Sequence, residues 1–313
     1  MGRHYRRSIP SNMLLSILLL FVLTAALIFV LNRLYPGHLL PPADRTNGVA
    51  SLQKKPDTHT QVLSSSDMTA ETVKPAQQNE DDKRPVMALV VDDAGEQMKL
   101  TKRVADLSLP LTWAIMPYTK YARKTADLAA EKGVPYLLHL PMQAEVDKKG
   151  GPYLVGLDMS AKRIRGITAS ALDTLPDPIG ISNHRGSLAT SDKNTVEPVV
   201  LELKARQLMF LDSSTSVKSV AYDVAKAAGI TALKNNGFID GTADENKIEA
   251  KFKEAVNDAV IRGSVIVICH FRPATVNFLE KLDAKYEKLP VRMVTVPEMA
   301  GILAMRGGKT NSK

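Results

Sequence analysis

From Pro85 onward, short apolar runs alternate with amphipathic segments of helix length, and this alternation restricts the chain more than any other feature. Residues 86–91 read as a buried strand, followed by a helix to about Leu107; residues 111–115 read as a strand, followed by a helix that begins at Thr119 and is stopped by Gly133. A third strand over 134–140 leads to a loop containing Lys148, Lys149 and Gly150, then to a helix from Ser160. Strands follow at 178–182, 208–211 and 231–233, with a helix after Thr215 that ends at Gly229. The clearest helix runs from Asp244 to Arg262, with Ile248, Phe252, Ala255, Val256 and Ala259 on one stripe and Gly263 just past its end. Residues 265–268 form the most apolar strand, and 291–296 a last one before a terminal helix. Strand-then-helix repeats demand a parallel sheet covered by helices, and roughly seven or eight of them favour an α/β barrel with outer helices over an open doubly wound sheet.

The segment before Pro85 is of another kind. Arg3, Arg6 and Arg7 precede an apolar run over 13–31 in which only Ser16 and Thr24 are weakly polar. At helical rise this run covers about 28 Å, close to the ~30 Å of a bilayer core. The flanking arginines place the N-terminus in the cytoplasm and the rest of the chain outside, in the periplasm or beyond the cell. A cleaved signal peptide fits less well, because its apolar core is shorter and ends in small residues, whereas Ala25-Ala26 is followed by more bulky apolar ones. Residues 32–84 are rich in Pro, Ser, Thr, Gln, Asn, Asp and Lys and have no sustained period, as expected of a flexible tether. The expected organisation is thus an anchor over 1–31, a linker over 32–84, a folded domain over 85–306 and a disordered tail over 307–313.

Composition excludes several function classes. The single Cys269 cannot form an internal disulfide or a Cys-rich zinc site, which leaves His, Asp and Glu for any metal. The net charge of +8 comes from 41 Lys and Arg interleaved with 33 Asp and Glu, so it implies solubility rather than a nucleic-acid-binding face. After the first strand stands Asp92-Asp93-Ala94-Gly95 and no Gly-rich phosphate loop, so no nucleotide cofactor is expected. Trp113 and Cys269 lie within apolar strands and read as core residues.

The chemistry gathers at strand ends. Of six histidines, His4, His38 and His59 precede the domain; His139, His184 and His270 each end a strand, as do Asp92, Asp93 and Asp212. In a parallel α/β fold those ends share one face, where active sites are assembled. Two imidazoles and one carboxylate suit zinc, iron or cobalt, a second carboxylate can take a proton from water, and a third imidazole can protonate a leaving group. The set fits metal-assisted hydrolysis of an amide or ester. Along a strand residues alternate in direction, so one of Asp92 and Asp93 can bind metal while the other serves as base.

Five segments, Val90 to Gly95, His139 to Met142, Ser182 to Ser187, Leu211 to Ser213 and His270 to Thr275, occur in the order and spacing of the divergent polysaccharide deacetylase family. Over roughly residues 85–306 the chain resembles that family, a distant branch of the metal-dependent polysaccharide deacetylases. The resemblance implies a distorted (β/α)7 barrel and removal of acetyl groups from a cell-envelope glycan. It implies Asp92 as base, Asp93 and His139 as metal ligands and His270 as general acid. Where the wider superfamily has a second ligand His, this chain has Gln143, and His184 on the same face would supply the missing imidazole. Asp212 would orient an imidazole or cap the loop at Ser213-Ser214, and Arg185 or Arg272 would hold Asp92 ionised. The chain departs from the family at Ala94, where Phe is expected, and at Arg272, where His is expected. The alternative function is a catalytically inactive barrel that binds glycan or an envelope protein, a reading the loss at Gln143 supports.

Overall fold

A computed structural model describes residues 83–146 and 151–308; the apolar run, the tether, the loop with Lys148, Lys149 and Gly150, and residues 309–313 lie outside the described residues. The strands are β1 (Val86–Ala94), β2 (Leu111–Ile115), β3 (Tyr136–Met142), β4 (Gly180–Arg185), β5 (Met209–Asp212), β6 (Ala232–Lys234), β7 (Gly237–Phe238), β8 (Ser264–His270) and β9 (Arg292–Val294). The helices between them are α1 (Met98–Ala105), α2 (Ala122–Glu131), α3 (Ala161–Leu172), α4 (Lys193–Ala205), α5 (Ala221–Ala227), α6 (Glu245–Arg262), α7 (Pro273–Asp283) and α8 (Val296–Gly308). Local chemistry sets their ends. Asp244 accepts from the Asn246 amide to start α6, Gly263 at φ 82° ends it in the left-handed region, and Ser160 and Asp192 cap α3 and α4 by accepting from Arg163 and Thr195. Helix α8 continues to Gly308, past the boundary expected at 306. Among the described residues no helix is long and apolar enough to cross a membrane.

All pairings are parallel, in the order β6-β5-β4-β3-β2-β1-β8-β7, with β9 also on β1. One edge of β1 pairs with β8 from Val86 to Asp92; the other is shared, β9 taking Val86 to Ala88 and β2 taking Leu89 to Ala94. The expected closed barrel is corrected at one seam. β6 and β7 end the order and do not pair with each other, because only Asn235 and Asn236 separate them, whereas neighbouring parallel strands need a crossover of a dozen or more residues. They are two halves of one extended segment that pairs first with β5 and then with β8. Side chains bridge the seam: Asn236 Oδ1 accepts from the Ile266 amide and Asn235 Nδ2 donates to the Ser213 carbonyl.

Strand alternation divides the core. Val86, Ala88 and Val90 of β1, with Leu137, Leu211, Ile266 and Ile268, fill the inside of the curled sheet, where Val296 and Met299 of α8 join them. Met87, Leu89, Val91, Leu138, Phe210, Val267 and Cys269 face the helices. Trp113 is fully buried, with its ring edge-on to Phe271 at 5.6 Å. Continuing the inward register past the apolar layer brings Asp92, His139, Ser182, His184 and His270 to one end of the curled sheet.

Candidate active site

These strand ends line a cavity of about 510 Å³ that contains Asp92, Asp93, His139, His184, Arg185, His270 and Arg272. Asp93 follows the inward-pointing Asp92 and would face out in a regular strand. A bulge corrects this: Val91 pairs with Trp113 and Ala94 with Ile115, so β1 has one residue more than β2, and Asp93 sits at φ 64°. A non-glycine residue held there costs about 1–3 kcal/mol, a strain that places both carboxylates in one cavity.

Asp93 Oδ1 lies 3.1 Å from His184 Nδ1 and 3.6 Å from His139 Nε2, and Asp92 Oδ2 lies 3.4 Å from His139 Nε2. The ligand-capable atoms of Asp93, His139 and His184 all lie within 4.8 Å of one another. Oδ1 of Asp92 and Oδ1 of Asp93 are buried without an aligned hydrogen-bond partner. The far side of His139 is fixed, since its Nδ1 shares a hydrogen bond with Ser182 Oγ at 2.8 Å. Orphaned carboxylate oxygens facing two imidazoles, one of them oriented from behind, are the donor set that a divalent cation satisfies.

Burial, reinforced by the charges of Asp93 and Asp240, pushes the Asp92 carboxyl well above the usual range. Burial acts on Asp93 in the same sense, but contact with His184 and the charges of His139, His184 and His270 prevail and hold it far below that range. His139 is pushed well below the usual imidazole value by burial and by His184, so it stands neutral, as a ligand must. The arginines do not hold Asp92 ionised as expected, because burial and the two neighbouring carboxylates dominate it; Arg272 Nη1 instead donates to the Asp240 carbonyl at 3.1 Å.

Across the cavity, His270 Nδ1 lies 2.8 Å from Asp240 Oδ1, and Asp240 Oδ2 accepts from the His270 amide and from Thr275 Oγ1, each at 2.8 Å. Phe238 stacks on the His270 ring at 5.9 Å. Burial would raise the Asp240 carboxyl, but these hydrogen bonds and the charge of His270 lower it, so Nδ1–H donates and Nε2 is turned to other work.

The sequence reading misses Asp240 and assigns too much to Asp212. Leu211 points into the curled sheet, so the next residue, Asp212, points out; it accepts from the Ser214 amide, Ser219 Oγ and the Tyr222 amide and, among the described residues, hydrogen-bonds to no histidine. Of the two roles expected for it, the loop cap is the one the structure contains. Asp240 lies just past the two-residue β7, too short for periodicity to reveal, and its only signal is an acid between Ile239 and Gly241. Gln143 serves structure, its Oε1 accepting from the Leu157 amide at 2.9 Å, and His184 joins Asp93 and His139 in the cluster.

Fold and site together define a parallel α/β deacetylase-like protein with an Asp-His-His cluster. The sequence profile described as divergent polysaccharide deacetylase matches residues 89–300, more than half of the chain, and the chain belongs to that family. An uncharacterized protein of Haemophilus influenzae is 34% identical over 194 residues, covering 62% of this chain and 69% of that one. The uncharacterized protein YibQ of Escherichia coli is 32% identical over 196 residues, covering 63% of this chain and 61% of its own, so the match spans less than two thirds of that relative. Among solved structures, an uncharacterized protein of Agrobacterium tumefaciens shares the fold with a TM-score of 0.65 at 20% identity, over 69% of this chain and 89% of that one. At family level, membership supports a carbohydrate deacetylase acting on a glycan.

Proposed function

We propose that the chain is a membrane-anchored, envelope-facing, metal-dependent hydrolase that removes acetyl groups from a cell-envelope polysaccharide. The observation that carries this reading is the convergence of Asp93, His139 and His184 within 4.8 Å, in a cavity that also holds Asp92 and the His270–Asp240 pair. Asp93, His139 and His184 would hold the ion, zinc for preference and iron or cobalt as substitutes. When bound, a divalent cation supplies Lewis acidity toward the acyl oxygen. The remaining chemistry belongs to the chain's own residues. Asp92, next to the cluster and inclined by burial to hold a proton, takes one from the attacking water as its oxygen bonds to the acyl carbon. His270, held by Asp240 through Nδ1, delivers a proton from Nε2 to the leaving nitrogen or oxygen as the bond to the acyl carbon breaks. Acetate and a free amine or hydroxyl result. The apolar run over 13–31 supports the anchor, and the arginines before it support an outward-facing domain.

Metal analysis of the protein purified without chelator tests the reading. Near one equivalent of zinc or iron is expected, lost in His139→Ala and in His184→Ala, with acetate released from acetylated glycans only by the metal-loaded form. Asp92→Asn should keep the metal and lose turnover; full activity in that variant would exclude Asp92 as base. No metal even after reconstitution would favour the inactive, glycan-binding barrel.

A further inference from the structure

Buried polar atoms without a hydrogen-bond partner are rare in folded proteins, and three of those among the described residues belong to the walls of one cavity: Asp92 Oδ1, Asp93 Oδ1 and Ser213 Oγ. The two carboxylates have a task in the hydrolytic reading; Ser213 has none. Its backbone is nonetheless firmly held. Asn183 Oδ1 accepts from the Ser213 amide at 2.8 Å, and Asn235 Nδ2 donates to the Ser213 carbonyl at 3.0 Å. Both asparagines are buried, and they come from β4 and from the residue after β6, the two neighbours of β5. The turn is fixed further by Ser214, whose amide donates to Asp212 Oδ1 at 2.8 Å and whose backbone sits at φ 53°, a conformation that residues with side chains seldom adopt. Leu211 points into the curled sheet and Asp212 out, so the next residue turns in again and Ser213 lines the cavity. The other neutral polar side chains of that wall are engaged, because Asn183 Nδ2 and Thr215 Oγ1 each donate to the Arg185 carbonyl at 2.7 Å.

We infer that Ser213 is a further catalytic residue, whose hydroxyl donates a hydrogen bond to the carbonyl oxygen of the acyl group; the inference rests on the hydrolytic reading above, which supplies that group. Depth selects the target. Ser213 is 1% exposed, as deep as Asp92 and His139 at 2% each, so it meets the part of the ligand that reaches Asp92. Ring hydroxyls stay nearer the mouth, beside the half-buried His184 and His270. A serine hydroxyl can donate or accept, whereas a carbonyl oxygen only accepts, and it accepts more strongly as water adds to the carbon and negative charge builds on the oxygen. A donor fixed in advance on a clamped backbone needs no rearrangement at that moment. Because the hydroxyl has no protein partner to give up, its bond to the ligand is a gain and not an exchange of one protein contact for another.

Ser213→Ala in the full chain tests this. Removing a hydroxyl that bonds to nothing in the protein should leave the urea midpoint unchanged or raised, and the metal content unchanged. A lowered midpoint would show that the hydroxyl serves the fold, and would overturn the inference. With metal stripped so that nothing turns over, ligand-observed NMR compares the β-1,4-linked trimers of N-acetylglucosamine and of glucose, which differ only at the acetamido group. The substitution should cost the acetylated trimer about three- to tenfold in affinity, as the loss of one neutral hydrogen bond does, and the glucose trimer nothing. An equal loss for both trimers, or none for the acetylated one, would overturn the contact. In the metal-loaded chain, kcat for acetate release should fall about 10²–10³-fold, the cost of losing one donor to a developing oxyanion, while KM rises no more than the affinity falls. An unchanged kcat overturns the catalytic role and leaves hydrolysis standing, whereas the binding difference without acetate release from the unaltered chain overturns hydrolysis alone.

Discussion

Ser182 and Asp240 do for the two ends of the site what the reacting residues cannot do for themselves: each fixes one nitrogen of an imidazole so that the other faces the cavity. Removing the hydroxyl in Ser182→Ala leaves His139 in place but free to choose its tautomer, and metal affinity should fall about 10–100-fold with little change in fold; competition with a chromophoric chelator reads this directly. An unchanged affinity would mean that Asp92 and Asp93 orient His139 unaided. Asp240 carries a pH signature as well. Its carboxyl is lowered in the folded protein, so its contribution to stability is full above the ordinary carboxylate pKa of about 4 and is lost as pH falls through the lowered native value. Urea titrations of the metal-free protein should show stability falling on acidification below pH ~4, and a shallower fall in Asp240→Asn. Parallel curves for the two proteins would show that Asp240 does not contribute to the acid limb.

At the scale of elements, the sequence is most legible where periodicity runs long. Helix α6, with its Asp244 cap and Gly263 stop, lies where the stripe from Ile248 to Ala259 predicts, and β8 ends at His270 as predicted, whereas β3 runs past His139 to Met142 and β4 past His184 to Arg185. Helices α4 and α7 carry no such advance reading, and the barrel's seam is hidden from the sequence because three- and two-residue strands hold no period. Asp93 belongs to the site as its position at a strand end predicts, but alternation alone points it outward and only the bulge turns it in. Two glycines separate backbone freedom from packing. A methyl on Gly263 would meet nothing nearer than Arg306 Nη1 at 3.8 Å, but the residue sits at φ 82°, so Gly263→Ala should cost about 1 kcal/mol and leave metal binding intact. Gly180 lies opposite Met209 in the β4–β5 pairing, and a methyl there would collide with the Met209 carbonyl. Gly180→Ala should therefore cost more, about 1–3 kcal/mol, and weaken metal binding too, because β4 carries His184. Chemical denaturation with a parallel metal titration distinguishes the two; equal costs with metal binding unaffected in both would mean that β4 and β5 part without moving His184.

For the whole molecule, what matters is where the chain enters the domain. The Val86 amide donates to the Gly263 carbonyl and the Arg292 amide to the Pro85 carbonyl, so β1 begins beside the starts of β8 and β9. Asp92 lies further along the same strand, about 20 Å away at strand rise, and the cavity opens among the strand ends there. Pro85 thus stands at the end of β1 opposite the cavity. Among the described residues, none of the polar contacts that build the site involves a residue before Pro85. A chain beginning at residue 83 should accordingly bind the same metal equivalent as the full chain and release acetate from a soluble acetylated glycan within about twofold of its kcat/KM. The full chain should sediment with membranes while the shortened one stays in solution, because the apolar run over 13–31 is the only long apolar stretch in the sequence. Loss of metal from the shortened chain would show that residues before 83 complete the site. Sedimentation of both forms would remove the run over 13–31 as the anchor while leaving the chemistry of the cavity untouched.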